Sequence, residues 1–198
     1  MGVREREKRI VATAVALAEE GGFEAVRLRD VAAHSGVALG TLYRHFRGKD
    51  DLLIAALASE AEGLAARMAR TPAAGDTALE RISDYFAAAT RTLCRKPKLA
   101  RAVLRAASSD DPELAGRIRT FHGLAGNLLI AALRGDPAAT LADANETELR
   151  VCTALQQVWF AAMIGWMSGL HKQAEVVEQI RSAAGLMDFA RLQLAARD

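Results

Sequence analysis

The sequence predicts an all-α protein. Apolar residues recur at helical spacing through nearly all of its 198 residues, and the alternating Val, Ile, Thr and Tyr patterns that mark strands are absent. Gly and Pro fall where one apolar stripe stops and the next begins. The length allows two compact units, since domains usually run to about 100 to 150 residues. At 51% hydrophobic and 25% charged residues, the chain has the balance of an ordinary folded domain.

About nine helices are expected. Ile10, Ala14 and Leu17 place a stripe on the first, which Gly21 and Gly22 end because glycine readily takes the left-handed conformation at a helix C-terminus. Two short helices follow, over residues 28–35 and 39–46, with Gly36 as the turn between them. A longer one over 49–70 carries Leu52, Leu53, Ala56 and Leu57, and Pro72 and Gly75 break it. Leu79, Ile82, Phe86, Ala89 and Leu93 mark the next, and Pro97 separates them from a helix ending near residue 107. Pro112 opens a helix striped by Leu114, Ile118, Phe121, Leu124 and Leu128, ended by Gly135, Asp136 and Pro137. Helices over 146–169 and 173–196 close the chain.

The bulk numbers exclude several classes. A net charge of +2 is too small for a protein that coats nucleic acid by charge alone. Cys94 and Cys152 are too few for a disulfide framework or zinc site and read as buried thiols in a reducing cytoplasm. The start, MGVREREKRI, lacks an apolar signal core, so no export is expected. The longest nearly apolar run, 158–170, falls short of the roughly 18 residues of a membrane span, so no membrane partner is expected. No GxSxG, HExxH or phosphate-cradling glycine loop occurs, and His34, His45, His122 and His171 are scattered. Neither an enzyme, nor a metal site, nor a cofactor is expected.

The segment LRDVAAHSGVALGTLYRHFRGKDDLL has the form of a helix-turn-helix, which sets its second helix in the major groove of DNA. Val31, Ala32, Val37 and Leu42 are its expected interior, Ala33 is small where two helices approach, and Phe23, Phe46 and Leu53 should pack it onto neighbouring helices. Thr41, Tyr43, Arg44 and His45 then crowd an outward face, with Gly40 permitting close backbone approach. Between residues 27 and 49, Arg27, Arg29, Arg44, Arg47 and Lys49 oppose only Asp30, a local balance of +4 that leaves −2 for the remainder. Basic side chains along a duplex neutralise phosphates while the exposed helix reads base edges.

GVALGTLYRHF followed by RGKDDLL closely resembles the tetracycline-repressor family of one-component regulators. The resemblance implies a three-helix DNA-binding domain over 1–48 and a ligand-binding and dimerisation domain over 49–198, with 49–70 as connecting helix. It implies a homodimeric repressor that binds a palindromic duplex operator and is released by a small molecule. By the same resemblance, Leu39, Gly40, Thr41, Tyr43 and His45 match DNA-facing positions and Lys49 a phosphate contact, to which Arg44 is added from its place on the same face. Arg27, Ala38 and Gly48 stand where the family commonly has Ser or Thr, so capping is weaker there, and Arg27 is a candidate phosphate ligand instead.

LQQVWFAAMIGWMSGL contains both tryptophans of the chain and supports two roles. One face would line a pocket formed by Phe86, Phe121, Leu124, Trp159, Met163 and Trp166, with His122 and Gln156 among the polar anchors, beside Tyr85, Asn127 and Gln157. The other would join a dimer interface through Ala161, Ala162, Gly165 and Gly169, with Ile180 and Met187 on the last helix. The apolar lining favours a lipid, acyl or steroid-like effector, and the region from Ile82 to Trp166 loosely resembles family members that control steroid and fatty-acyl catabolism.

Overall fold

The computed structural model describes residues 2–195, with side chains through Met187. Among them are nine α-helices and no strand: α1 (Val3–Gly21), α2 (Leu28–His34), α3 (Leu39–His45), α4 (Lys49–Met68), α5 (Ala78–Cys94), α6 (Pro97–Ala107), α7 (Ala115–Arg134), α8 (Glu146–Met167) and α9 (Gln173–Ala195). The expected end of the last helix at 196 lies outside the described residues. Pro112 does not open α7 directly. It starts a 3-10 turn, Pro112–Leu114, whose N-cap Asp111 accepts the Glu113 amide, and α7 begins one residue later.

The chain forms two compact units, and neither is a continuous stretch of sequence. One comprises Met1–Ala61 and Leu93–Phe121, the other Glu62–Thr92 and His122–Asp198. In the first, Ile10, Ala14 and Ala18 of α1 are fully buried with Val31, Leu42, Phe46, Leu52 and Leu53. The inward stripe of α1 is Ile10, Val11, Ala14 and Ala18, and the expected Leu17 is only half-buried beside it. Pro97 starts α6 at a position where its missing N–H costs nothing. Leu99, Ala100, Val103 and Leu104 then face inward, while Lys98, Arg101 and Arg105 stay exposed.

In the second unit, one arginine ties several elements. Arg81 of α5 donates from Nε to the Ala132 carbonyl at 2.8 Å and from Nη2 to Leu133 at 3.2 Å, capping the last turn of α7. Its Nη1 reaches the carbonyls of Gly75 and Asp76, so the turn before α5 hangs on the same side chain. A cation at a helix C-terminus also opposes the negative end of the helix dipole. Beyond that end, Arg134 holds Glu148 at 2.7 Å, which keeps the Glu148 carboxyl below its usual range. Glu148 closes a capping box with Asn145 at the start of α8. Gly165 admits the His171 ring, which a Cβ at that position would strike.

Cys152 is buried and Cys94 half-buried, and desolvation raises the two thiols to about 12 and about 11. Arg81→Gln should cost about 2 to 4 kcal/mol, because four carbonyls lose a charged donor. Urea unfolding followed by circular dichroism measures it, and a loss below about 0.5 kcal/mol, the size of an ordinary surface substitution, would remove Arg81 from this role.

Candidate functional site

The α2–α3 pair builds the helix-turn-helix. Gly36 sits at φ +64°, a left-handed conformation that L side chains rarely adopt, and so turns the chain between the helices. Val31, Ala32 and Leu42 are buried as expected, and Val37 is half-buried. Ala33 is not a close-approach residue, because it is exposed. Ser35 is the small buried residue instead, its hydroxyl donating to the Val31 carbonyl at 2.6 Å. Neither helix has a side-chain N-cap: Arg27 and Ala38 occupy those positions without a capping bond.

On α3, inward and outward residues separate cleanly. Leu42 is completely buried, as is Phe46 just beyond the helix, whereas Tyr43 is 53% exposed. Gly40 and Arg44 are exposed, and Leu39, Thr41 and His45 are half-exposed. Arg44 Nη2 donates to Thr41 Oγ1 at 3.0 Å, so these two residues one turn apart form one polar surface. A Cβ at Gly40 would meet nothing within 4 Å, which leaves that turn open to another molecule. Arg27 is exposed at the start of α2.

Lys49 is less free than its sequence position implies. Its side chain is 24% exposed, lies 4.0 Å over the centre of the Phe23 ring and stands 3.6 Å from Glu24. Arg105 of α6 stacks on the same ring at 3.9 Å and pairs with the same glutamate at 3.0 Å. Phe23 is thus a half-buried ring between two cations rather than a core residue. Arg47 pairs with Glu113.

The start of α4 is held by a residue that sequence reasoning missed. Asp51 is buried and accepts the Arg47 N–H on Oδ2 at 3.0 Å, reaching back over Gly48 as a substitute cap. Its other oxygen pairs with Arg117 Nε. Arg117 also donates from Nη2 to the His45 carbonyl at 2.9 Å and lies 4.9 Å over the Phe46 ring. The uncapped Gly48 followed by Asp50 and Asp51 was the available signal for Asp51; nothing in the local pattern marked Arg117, 66 residues further along.

Of the expected effector residues, Phe86 and Trp159 meet at 6.2 Å between ring centres, and Trp159 Nε1 donates to the buried Thr90 hydroxyl at 3.0 Å. His122 Nδ1 and Gln156 Oε1 are 2.7 Å apart. Met163 is fully buried, Phe121 is buried on α7, and Leu124 and Trp166 are half-buried. Tyr85 and Asn127 serve the fold instead. Tyr85 donates to the Ala125 carbonyl, with burial raising its phenol, and Asn127 accepts the Leu141 amide. Gln157 is exposed. Two open grooves, of about 500 Å³ along Leu79, Ser83, Ala87 and Val177 and about 580 Å³ along His171, Gln179, Ala183 and Leu186, contain none of the expected effector residues.

Of the expected interface residues, Ala162, Gly165 and Ile180 pack inside the protomer, which withdraws their side-chain positions from a partner's reach. Ala161 and Gly169 are exposed and Met187 partly so. Among the described residues no group of His, Cys, Asp or Glu could hold a metal ion, and no helix is long and apolar enough to cross a membrane.

The fold and this motif define a helix-turn-helix transcriptional regulator. Residues 10–56 match the family model for bacterial regulatory proteins of the tetR family, and residues 75–187 match that for the tetracyclin repressor-like C-terminal domain. The HTH-type transcriptional repressor KstR of Mycolicibacterium smegmatis is 31% identical over 185 residues, covering 93% of this chain and 87% of that protein. A TetR regulator from Rhodococcus sp. RHA1 has the same fold, with a TM-score of 0.83 at 24% identity over 93% of this chain and 96% of its own. Thermus thermophilus FadR, a TetR-family repressor solved with lauroyl-CoA, gives 0.69 at 19% identity over 91% and 92%. The chain belongs to the tetR family, as a transcriptional repressor and not an enzyme.

Gly36→Ala should destabilise the protein by about 1 to 2 kcal/mol, the cost of a Cβ in left-handed backbone, although open space surrounds the position. An unchanged unfolding midpoint would show that the turn tolerates another conformation.

Proposed function

We propose that this repressor binds a palindromic duplex operator as a homodimer in the cytoplasm and leaves it when a large, mostly apolar effector binds. The observation that carries the DNA reading is the division of α3: Leu42 and Phe46 are buried while Tyr43, Gly40 and Arg44 face outward. Thr41, Tyr43, Arg44 and His45 read the groove, with Leu39 and Gly40 allowing close approach, and Arg27 and Lys49 take phosphates. In this reading the functions divide after residue 48 even though the compact units do not. Residues 1–48 form the DNA-binding part, 49–70 connect and add Lys49 as a phosphate contact, and the rest carries effector binding and dimerisation.

A second copy would pack on the outer face of α8 and α9. Ala161, Gly169, Leu170 at 74% and Leu186 at 72% are exposed and Met187 is partly so, and these residues would supply the contact. In this reading the second copy would cover these side chains and join them into one apolar contact, since contiguous apolar patches are what mark a surface that meets another protein. Paired recognition helices then suit half-sites about 34 to 36 Å apart.

The effector reading rests on the aromatic and apolar set Phe86, Phe121, Leu124, Trp159, Met163 and Trp166, with His122 and Gln156 as a polar pair. The lauroyl-CoA held by Thermus FadR makes an acyl thioester the natural probe. Effector binding would act through α4 on the spacing of the recognition helices. A coupling of about 1 to 3 kcal/mol would change operator affinity about 5- to 150-fold.

Selection from a random duplex pool, followed by binding assays, tests the DNA reading. Tyr43→Ala should weaken the selected duplex about tenfold while leaving scrambled DNA nearly unchanged, whereas Lys49→Ala should weaken both together. Equal losses on both duplexes for Tyr43→Ala would remove it from groove reading.

Lauroyl-CoA titration tests the effector. Because Trp159 and Trp166 are the two tryptophans of the chain, intrinsic fluorescence should change in step with operator release. Tight binding with operator affinity unchanged would defeat the release mechanism.

A further inference from the structure

We infer that Arg117 is a positioning residue for operator reading: it fixes the C-terminal end of the recognition helix, so sequence-specific DNA affinity depends on it more than sequence-independent affinity does. The inference rests on the DNA reading above. With 33% of its side chain exposed, Arg117 is turned into the protein, and it acts through the residues it holds.

Arg117 contacts His45 and Phe46 directly and reaches the next residue, Arg47, through Asp51. The chain leaves α3 through an extended Phe46, at φ −137° and ψ 124°, so the last carbonyls of α3 have no next turn to receive an amide. Arg117 supplies a donor to one of them, the His45 carbonyl. Its guanidinium carbon lies 4.9 Å over the ring of Phe46, the fully buried residue that anchors that end. Through Asp51 it also fixes Arg47, whose N–H is held on the other carboxylate oxygen. Glu7 of α1 stands 3.8 Å from Nη1 and ties the same guanidinium to the first helix.

Only a guanidinium can serve these partners together. A carboxylate, a carbonyl and a ring face lie in different directions, and arginine presents several donors in a rigid plane that also stacks. A lysine would keep the charge beside Asp51 but lose the fork. Without any cation, the buried Asp51 carboxylate would be left unpaired. Tyr43 and Arg44 sit within one turn of His45, so loosening that carbonyl and ring lets the reading face tilt. Phosphate contacts tolerate such tilt, and base contacts do not.

The test uses the full chain, with wild type, R117K, R117A and D51N, on the selected operator and on a scrambled duplex at one salt concentration. Hydrogen–deuterium exchange over residues 39–47 is measured beside it. R117K should lose about tenfold on the operator, the worth of one charged hydrogen bond, and stay within about threefold on the scrambled duplex. Exchange at residues 42–47 should quicken while that of α1 is unchanged. Wild-type affinity and exchange in R117K would overturn the inference, and so would equal losses on both duplexes. If R117A fails to fold, R117K and D51N carry the comparison. If wild type selects no duplex, the DNA reading fails by itself, and the exchange data still decide whether Arg117 orders residues 42–47.

Discussion

A recognition helix of seven residues cannot hold itself together. Helices shorter than about 12 to 15 residues are marginal in water, and α2 and α3 both begin without a side-chain cap. Everything at the candidate DNA face therefore depends on tertiary contacts. Leu42 and Phe46 enter a core shared with Ile10, Val31, Leu52 and Leu53, and the pair between buried Asp51 and half-buried Arg117 pins the turn that follows. The apolar contacts supply the stability. The ion pair supplies direction, because a packed Phe46 alone would let the end of the helix rotate about its ring.

This dependence explains why the first compact unit is larger than a three-helix motif. The α6 helix and the opening turns of α7 belong to the same unit, and each brings an arginine to the motif. Arg105 meets Phe23 and Glu24 near the starts of α2 and α4, while Arg117 meets His45, Phe46 and Asp51 at the end of α3. The motif is gripped at two separate points by side chains that sequence order would assign to the other half of the protein. A helix-turn-helix built this way has a defined attitude before DNA arrives.

The parts legible in the sequence were those governed by local rules. Nine helices followed from apolar spacing and from Gly and Pro breaks, and most boundaries fell within two residues because Gly22, Gly36, Pro97 and Gly135 act where they stand. The outward set on α3 was legible for a similar reason, since its residues lie within two turns. Other positions depend on helix rotation and on packing between elements, which the local pattern does not show. Ala33 was read as a contact residue from its size, but the rotation of α2 leaves it exposed, and the small buried residue is Ser35. Gly165 looked like an interface glycine, and its smallness is used by His171, six residues later. Arg117 and Arg105 carried no local signature at all, because an arginine on an amphipathic helix looks the same whether it faces water or another helix.

Charge shows the same limit from another side. Counting residues 27–49 gives +4, but the folded protein ties two of the five cations to acids outside that stretch, Lys49 to Glu24 and Arg47 to Glu113. Glu24 and Glu113 are both exposed, and such surface pairs are weak, worth roughly 0 to 1 kcal/mol each, so a row of phosphates can replace the carboxylates. The replacement is an exchange of partners, and it returns less than the attraction of a bare cation to DNA. In the proposed DNA reading, sequence-independent binding would be lowered at each such pair, while Tyr43, which has no acid to displace, would keep its full contribution. A protein with little net charge that must distinguish one site from all other DNA gains from this division, because it lowers the common background and leaves the specific contacts intact.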